Sequence, residues 1–370
     1  MDATPPMRET LRSLTEALER GRETIVCQVV ETRGSTPQKA GALMLVDPDG
    51  GRQVGTLGGG CVENEVKMRA LARVGRSGAE VHAFVLDHDY AWADGLICGG
   101  KMTILVQSAL GPDSLAYFAA YRRLLDAGPG FTEAVVVDPD RLGSGEVGSR
   151  VLVDASGATV AEWSGPGLGE VVGPRVGSLD DRPRPSLVGG LALLPTLPRV
   201  RLVIVGAGHV GQAVGALAAQ ADFDVWVVDD RRQYANSERF PAADRFIVGP
   251  FEETLPALEV DARTYALIVT RGHGHDQEAL GYLAPTVAPY VGLIGSRRKI
   301  RMIFEALREA GVSEEALGRV SAPVGVEIGS ESVVEIAVSI VAELIARRNL
   351  GVIPPNPARA HRAATEPAGA

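Results

Sequence analysis

Residues 203–214 read VIVGAGHVGQAV: an apolar run, then Gly206, Gly208 and Gly211 in G-x-G-x-x-G spacing, then the start of a helical pattern. Few short sequences restrict a fold so strongly. In a βαβ unit the first glycine makes the tight turn, the second admits a phosphate to the backbone, and the third lets helix and strand approach. Asp229 closes the next apolar run, DVWVVDD, 23 residues beyond Gly206, where a carboxylate meets a ribose hydroxyl in dinucleotide folds. The runs RFIVG, YALIVT and YVGLIG follow, alternating with helical segments. Residues 200–350 are therefore expected to form a Rossmann-like, doubly wound parallel sheet. Ser332 and Glu335 have capping-box spacing and predict a long helix through Ala346. The glycines also serve packing, so a bound nucleotide does not follow from them alone.

Two further segments fall at the carboxyl edge of that sheet, where ligands bind in open α/β folds. TRGHGHDQEAL places His273 and His275 there. Two imidazoles without a plain third ligand do not make a metal site, so the histidines are expected to line the crevice while Asp276 caps the next helix. GSRRK sets Ser296 before Arg297, Arg298 and Lys299 at a helix start, which suits an anion or, equally, a solvated basic face.

The N-terminal half reads differently. A helical stripe (Leu11, Leu14, Leu18) stops at Gly21, and strand-like runs TIVCQVV, ALMLV, EVHAFVL and KMTILVQ follow. Between them GTLGGGCVENEV places Gly58, Gly59 and Gly60 before Cys61, and Val62, Val66, Ala70 and Val74 then recur at helical spacing. The glycine N–H groups are expected to converge on a ligand, and the helix start favours a thiolate: a metal ligand, a nucleophile or a persulfide carrier. Glu63 and Glu65 oppose a second anion, and a buried structural cysteine is the plain alternative. LICGGK adds a second thiol, Cys98, beside Gly99, Gly100 and Lys101.

An internal echo links two parts of this half. Gly41–Gly60 aligns without gaps to Gly148–Gly167, an offset of 107, with seven identities in twenty. The preceding helices align as well, Leu18 with Leu125 and Gly21 with Gly128. This reads as a degenerate duplication within a mixed α/β domain, 1–167, whose second copy (111–167) has no thiol. Residues 168–199, rich in Gly and Pro, are expected to be a linker, and 351–370 a disordered tail.

Composition excludes several roles. A net charge of −9 leaves no basic excess for nucleic acid. No apolar run reaches 18 residues, so no membrane span is expected. The N-terminal residues have no basic-then-apolar leader pattern. The three cysteines make no disulfide framework, which fits a reducing cytoplasm. Only four lysines occur, and Lys39, Lys101 and Lys299 lie beside the loops above.

ETRGSTPQKAGALMLV, GTLGGGCVENEV and GLICGG resemble the N-terminal domain of the XdhC/CoxI family of xanthine dehydrogenase accessory proteins. LVIVGAGHVGQAV, DDRRQYANSERFPAAD, TRGHGHDQEAL, YVGLIGSRRK and PVGVEIGSESVVEIAVSIVAELIA resemble its C-terminal Rossmann domain. These blocks cover nearly the whole chain, with 111–190 least matched. The resemblance implies a molybdenum-cofactor chaperone that binds the finished pterin cofactor. It would support exchange of an oxo ligand for sulfur by a cysteine desulfurase and deliver the cofactor to a xanthine dehydrogenase-type molybdenum hydroxylase. On that reading Cys61 or Cys98 is the candidate molybdenum or sulfur ligand, with an adenine nucleotide or NAD(P) as a further ligand of the Rossmann domain and a homodimer as an arrangement open to it. Thr56 stands where serine is expected in many relatives, which keeps the hydroxyl. The absence of a nucleotidyltransferase domain argues against synthesis of the cytosine dinucleotide form. The alternative is an NAD(P)-dependent oxidoreductase using Gly206, Gly208, Gly211 and Asp229, although no acid–base pair stands out for it, and enzymatic activity is not expected on the accessory reading.

Overall fold

The computed structural model describes residues 7–86 and 99–352. Cys98, the stretch around it, and all but the first two residues of the expected tail lie outside the described residues. The chain divides into two compact units, 1–198 and 199–370.

The first unit opens with helix α1 (Met7–Glu19), whose Leu11, Leu14 and Leu18 are buried. Strands β1 (Thr24–Arg33), β2 (Leu43–Val46) and β3 (Gln53–Gly55) lead into helix α2 (Gly60–Leu71), and β4 (Ala79–Val85) and β5 (Lys101–Ala109) complete an antiparallel sheet in the order β3-β2-β1-β5-β4. The same order of elements then recurs. Helix α3 (Pro112–Ala127) precedes β6 (Phe131–Val136), the short helix α4 (Pro139–Leu142), β7 (Arg150–Asp154), β8 (Thr159–Trp163), the short helix α5 (Leu168–Val172), β9 (Ser186–Val188) and β10 (Leu191–Thr196). These strands pair as β8-β7-β6-β10-β9, the arrangement of the first sheet with each strand number raised by five.

Register repeats too. Ile25 faces Val46 in the first sheet and Thr132 faces Val153 in the second, each pair displaced by 107 residues. The sequence echo is thus a structural duplication. Alternation sends Ile25, Cys27 and Val29 to one face of the first sheet, against Val62, Val66 and Ala70 of α2. Val26 on the opposite face joins Tyr117, Phe118 and Leu152 in a core shared by α1, α3 and both sheets.

One expectation fails here. Residues 168–199 are not a linker, because they supply α5 and the strands β9 and β10. The glycines and prolines that suggested a linker belong to turns within the repeat: Gly189 and Gly190, both at positive φ, close the β9–β10 hairpin. The second copy therefore extends to Thr196, beyond the boundary drawn from the aligned glycines.

The second unit contains β11 (Arg201–Val205), α6 (His209–Gln220), β12 (Asp224–Asp229), β13 (Arg245–Val248), the short helix α7 (Phe251–Thr254), β14 (Thr264–Ile268), α8 (His273–Leu283), β15 (Tyr290–Leu293), α9 (Arg297–Glu309), the short helix α10 (Glu314–Gly318), β16 (Val320–Ser321) and α11 (Val333–Leu350). All pairings are parallel, in the order β13-β12-β11-β14-β15-β16. This is the doubly wound topology, with its reversal between β11 and β14. One core packs α8 and α9 on one face of the sheet, and another packs α6 and α11 on the other. Ser332 and Glu335 form the reciprocal capping box at the start of α11. Buried Glu343 of α11 accepts hydrogen bonds from Tyr290 Oη (2.8 Å), Ser321 Oγ (2.5 Å) and Gly325 N (2.8 Å), which fastens the last strand. No described helix is long and apolar enough to cross a membrane.

Candidate functional site

In the first unit three loops meet at one end of the sheet. The chain after β3 passes through Gly58, Gly59 and Gly60 with φ of 108°, 76° and 69°. Three successive residues in the left-handed region are accessible to glycine and costly for any other residue, which explains the triplet. A Cβ on Gly58 would lie 2.4 Å from Pro37 Cβ, so the loop from Gly34 to Gln38 packs directly on the triplet. The same loop reaches the third segment: Ser35 bridges Gly99, and a Cβ on Gly100 would lie 2.2 Å from the Ser35 carbonyl oxygen. Gly59, by contrast, has no neighbour within 4 Å of its Cβ position. Gly58, Gly59, Gly60, Cys61, Gly99 and Gly100 therefore belong to one loop cluster, with Cys61 half-buried in the first turn of α2.

The expected convergence of glycine N–H groups on a ligand does not hold as drawn. Glu63 turns back from α2 and takes the amide of Gly59. Its Oε2 accepts from Leu57 N (2.8 Å), Gly59 N (3.0 Å) and the Thr56 hydroxyl, and its Oε1 accepts from Gln53 Nε2 (2.5 Å). Gly58 N donates to Thr56 Oγ1 at 3.0 Å. Burial disfavours the Glu63 charge, but these hydrogen bonds outweigh it and hold the carboxyl below its ordinary range. The sequence read Glu63 only as an opposing charge. A carboxylate in the first turn, four residues after a glycine N-cap, is the signal that marks it as an intramolecular anion for its own loop.

Cys27 is a different thiol. It is fully buried on β1, and desolvation, aided by the Glu63 charge, pushes its proton affinity far up. Nothing in its surroundings favours a thiolate. Among the described residues Cys61 is the thiol placed at the loop cluster.

In the second unit Gly206 and Gly211 are required by close backbone approach, whereas Gly208 is not. Cβ atoms on Gly206 and Gly211 would lie 2.6 Å from Val269 O and 2.2 Å from Gly206 O, while Gly208 faces open space. Asp229 stands at the end of β12 but is only 2% exposed. Its Oδ2 accepts from Ala207 N (2.8 Å) and Arg231 Nη2 (3.1 Å), and its Oδ1 from Arg231 N (3.0 Å) and Nε (2.9 Å). Burial opposes the charge, yet the Arg231 and Ala207 contacts keep the carboxyl below the usual range.

Across the reversal, a groove of about 610 Å³ is lined by Arg271, His273, Gln277, Ser296, Arg298 and Lys299, with Met302, Ile303 and Ala306 as its apolar wall. Three expectations change here. Asp276 does not cap α8, whose N-cap is Gly272. It is buried and accepts from Thr270 N (3.2 Å) and Thr270 Oγ1 (2.5 Å), pinning the loop before the helix. Lys299 pairs with that buried carboxylate rather than standing ready for an anion. His275 does not line the groove: its ring meets the Phe251 ring, 5.5 Å between centroids, Glu278, and Arg271 Nη2 at 3.3 Å. Ser296 caps α9 through Lys299 N at 3.3 Å, and Arg297 is exposed outside the groove. Arg298 lines the groove as part of the basic helix start read from sequence, whereas Arg271, which also lines it, was not singled out there. Among the described residues no group of three metal-ligating side chains assembles.

Comparison with known proteins accords with both halves. Residues 17–84 match the XdhC and CoxI family, and residues 202–344 match the XdhC Rossmann domain. A Bacillus subtilis protein named as a probable xanthine dehydrogenase component is 27% identical over 337 residues, covering 90% of this chain and 96% of the relative. The Escherichia coli molybdenum cofactor insertion chaperone PaoD is 26% identical over 346 residues, covering 93% and 90%. A Bacillus halodurans crystal structure described as a xanthine dehydrogenase superposes with a TM-score of 0.74 at 24% identity, over 94% of this chain and 98% of that one, and so shares the fold. With both halves matched in order, the chain belongs to the XdhC and CoxI family.

Proposed function

We propose that this protein is an accessory factor that binds the molybdenum cofactor as cargo and supports its sulfuration and insertion into a xanthine dehydrogenase-type molybdenum hydroxylase. The observation that carries this reading is the loop cluster of the first unit: Cys61 on the first turn of a helix, beside the uncovered Cα of Gly59. The donor set fits a cargo that brings its own chelating ligands. The described residues offer it one thiol and a backbone surface rather than a cage of side chains. A bound cofactor would supply a metal with an exchangeable ligand position. This chain holds the loop through Glu63 and Thr56, keeps Cys27 out of the chemistry by burial, and presents Cys61. Cys98 is proposed as a second thiol for the same cargo. The desulfurase and the client hydroxylase are proposed partners, supported by the names of the chaperone and dehydrogenase relatives.

The test is metal and pterin analysis of the full chain purified from a host that makes the cofactor. The proposal expects molybdenum and a fluorescent pterin oxidation product in equal amounts. Protein that carries neither, from a host whose own molybdoenzymes are loaded, overturns it.

A further inference from the structure

The carboxylate that ends the second strand of a dinucleotide fold ordinarily receives the ribose 2′-hydroxyl, whereas a nearby arginine receives a 2′-phosphate. Here the first option is closed. A carboxylate offers about four acceptor directions, and Asp229 uses four: two on each oxygen, to Ala207 and to Arg231. It also has almost no surface. Its charge is offset by the Arg231 guanidinium, which lies over the Tyr234 ring at 3.9 Å. A phosphate approaching the end of β12 would therefore meet a neutralised aspartate and not a bare one.

What lies beyond β12 is cationic. A hollow of about 710 Å³ is lined by Arg231, Arg232, Gln233, Asn236, Ser237 and Glu238. Arg232 is exposed, and its guanidinium makes no hydrogen bond or ion pair among the described residues. The hollow adjoins the glycine loop through two ties: the Asp229–Ala207 bond, and Arg239, which donates to Ala207 O (3.4 Å) and Gln212 Oε1 (2.9 Å). Two carboxylates compete for the same region. Asp230 is already engaged by Arg231 (3.4 Å) and Arg271 (2.9 Å), whereas exposed Glu238 opposes an anion.

We infer that the second unit selects a 2′-phosphorylated adenine dinucleotide, of the NADP(H) type, over NAD(H), with Arg232 as the residue that meets the 2′-phosphate. Its pyrophosphate would pass over Gly208, the glycine whose Cα is uncovered. The inference concerns the second unit alone and does not depend on the cargo of the first.

The test is calorimetric titration of the full chain, from a host unable to make molybdenum cofactor, with NADP⁺, NAD⁺, 2′,5′-ADP and 5′-AMP. NADP⁺ and 2′,5′-ADP should bind at least tenfold more tightly than their counterparts lacking the 2′-phosphate, and the preference should shrink as salt is raised. Arg232→Ala should bring NADP⁺ and NAD⁺ to within about threefold of each other, and Glu238→Gln should tighten NADP⁺ several-fold. Equal or tighter binding of NAD⁺, no binding of any of the four, or an undiminished preference in Arg232→Ala overturns the inference. None of these outcomes alters the molybdenum content predicted for the first unit.

Discussion

Arg150 Nη1 lies 2.7 Å from Glu133 Oε1, both side chains wholly buried between the two sheets of the first unit. Around this pair, Arg150 also donates to Gln28 Oε1 (2.5 Å) and Gln107 Oε1 (3.0 Å), Gln28 Nε2 donates to Glu133 Oε2 (2.6 Å), and Tyr117 donates to Glu133 Oε1 (3.0 Å). Gln28 and Gln107 come from the first sheet, Glu133 and Arg150 from the second. The network therefore ties the two copies of the repeat at one point of their apolar interface. Glu133→Ala leaves a buried guanidinium without its counter-charge and should cost about 3–5 kcal/mol. Adding Arg150→Met should recover most of that loss, because two apolar groups need no partner. Urea unfolding of the single and double variants measures both, and equal instability of the two would deny the coupling.

The repeat was legible in the sequence where backbone geometry demands particular residues, and illegible where tertiary context decides. Gly41 and Gly148 mark equivalent turns, and the alignment they anchor is the register of the strands. The network was invisible. Arg150 occupies the place of Leu43, a buried apolar residue in the first copy, and only Glu133 on the neighbouring strand makes a charge tolerable there. The same contrast runs through the candidate sites. Gly206, Gly208 and Gly211 declare themselves because a Cβ fits at one position and not at the others. The engagement of Asp229 by Arg231, of Asp276 by Lys299 and of the Gly59 amide by Glu63 depends on side-chain directions that spacing does not encode. The β9–β10 hairpin was missed because glycine-rich turns inside a sheet and glycine-rich linkers have one composition.

Glu63 makes the loop cluster sensitive to acid. Its carboxyl is held below the ordinary range in the folded state, so its contribution to stability is present above the unfolded-state value, about 4.3, and fades as pH falls through the lower folded-state value. Glu63→Gln should remove that acid-dependent portion of the stability and leave the curve at higher pH nearly parallel to wild type. Thermal unfolding measured at half-unit steps from neutral pH downward gives the comparison. Superimposable pH curves would show that Glu63 does not hold the loop.

The three glycines before Cys61 separate two kinds of constraint. Gly59→Ala meets no neighbour but must adopt φ 76° with ψ −172°, a combination essentially confined to glycine, which costs roughly 1–3 kcal/mol. Gly58→Ala adds a Cβ at 2.4 Å from Pro37 Cβ to the same kind of strain, and should be the more destabilising of the two. Melting temperatures rank them directly. The reverse order would mean that the loop from Gly34 to Gln38 yields freely.

Cys61→Ser preserves the size of the side chain and the first turn of α2, so its melting temperature should stay near that of wild type. Under the proposed function it should lose most of the molybdenum and pterin that copurify with the chain, because a hydroxyl does not ionise to replace a thiolate at neutral pH. Cys27→Ser offers the contrast: it should retain cargo, yet lower stability by placing a hydroxyl in the apolar core. Full cargo in Cys61→Ser would return that thiol to a packing role.

Lys299 distinguishes a structural charge from a ligand-binding one. It stands at the start of α9, where the positive end of the helix dipole disfavours a cation, and what keeps it there is the buried carboxylate of Asp276. Lys299→Met would leave that carboxylate supported only by Thr270, and should destabilise the second unit by about 3–5 kcal/mol. Asp276→Asn in the same chain should restore most of the loss, since a neutral amide oxygen still accepts from Thr270 N. Exposed Arg297 makes no such contact among the described residues, and Arg297→Ala should stay within about 0.5 kcal/mol of wild type. Denaturant titration of the four proteins decides the matter. If Lys299→Met proves as silent as Arg297→Ala, the ion pair with Asp276 contributes nothing, and Lys299 becomes available to an anion in the groove beside it.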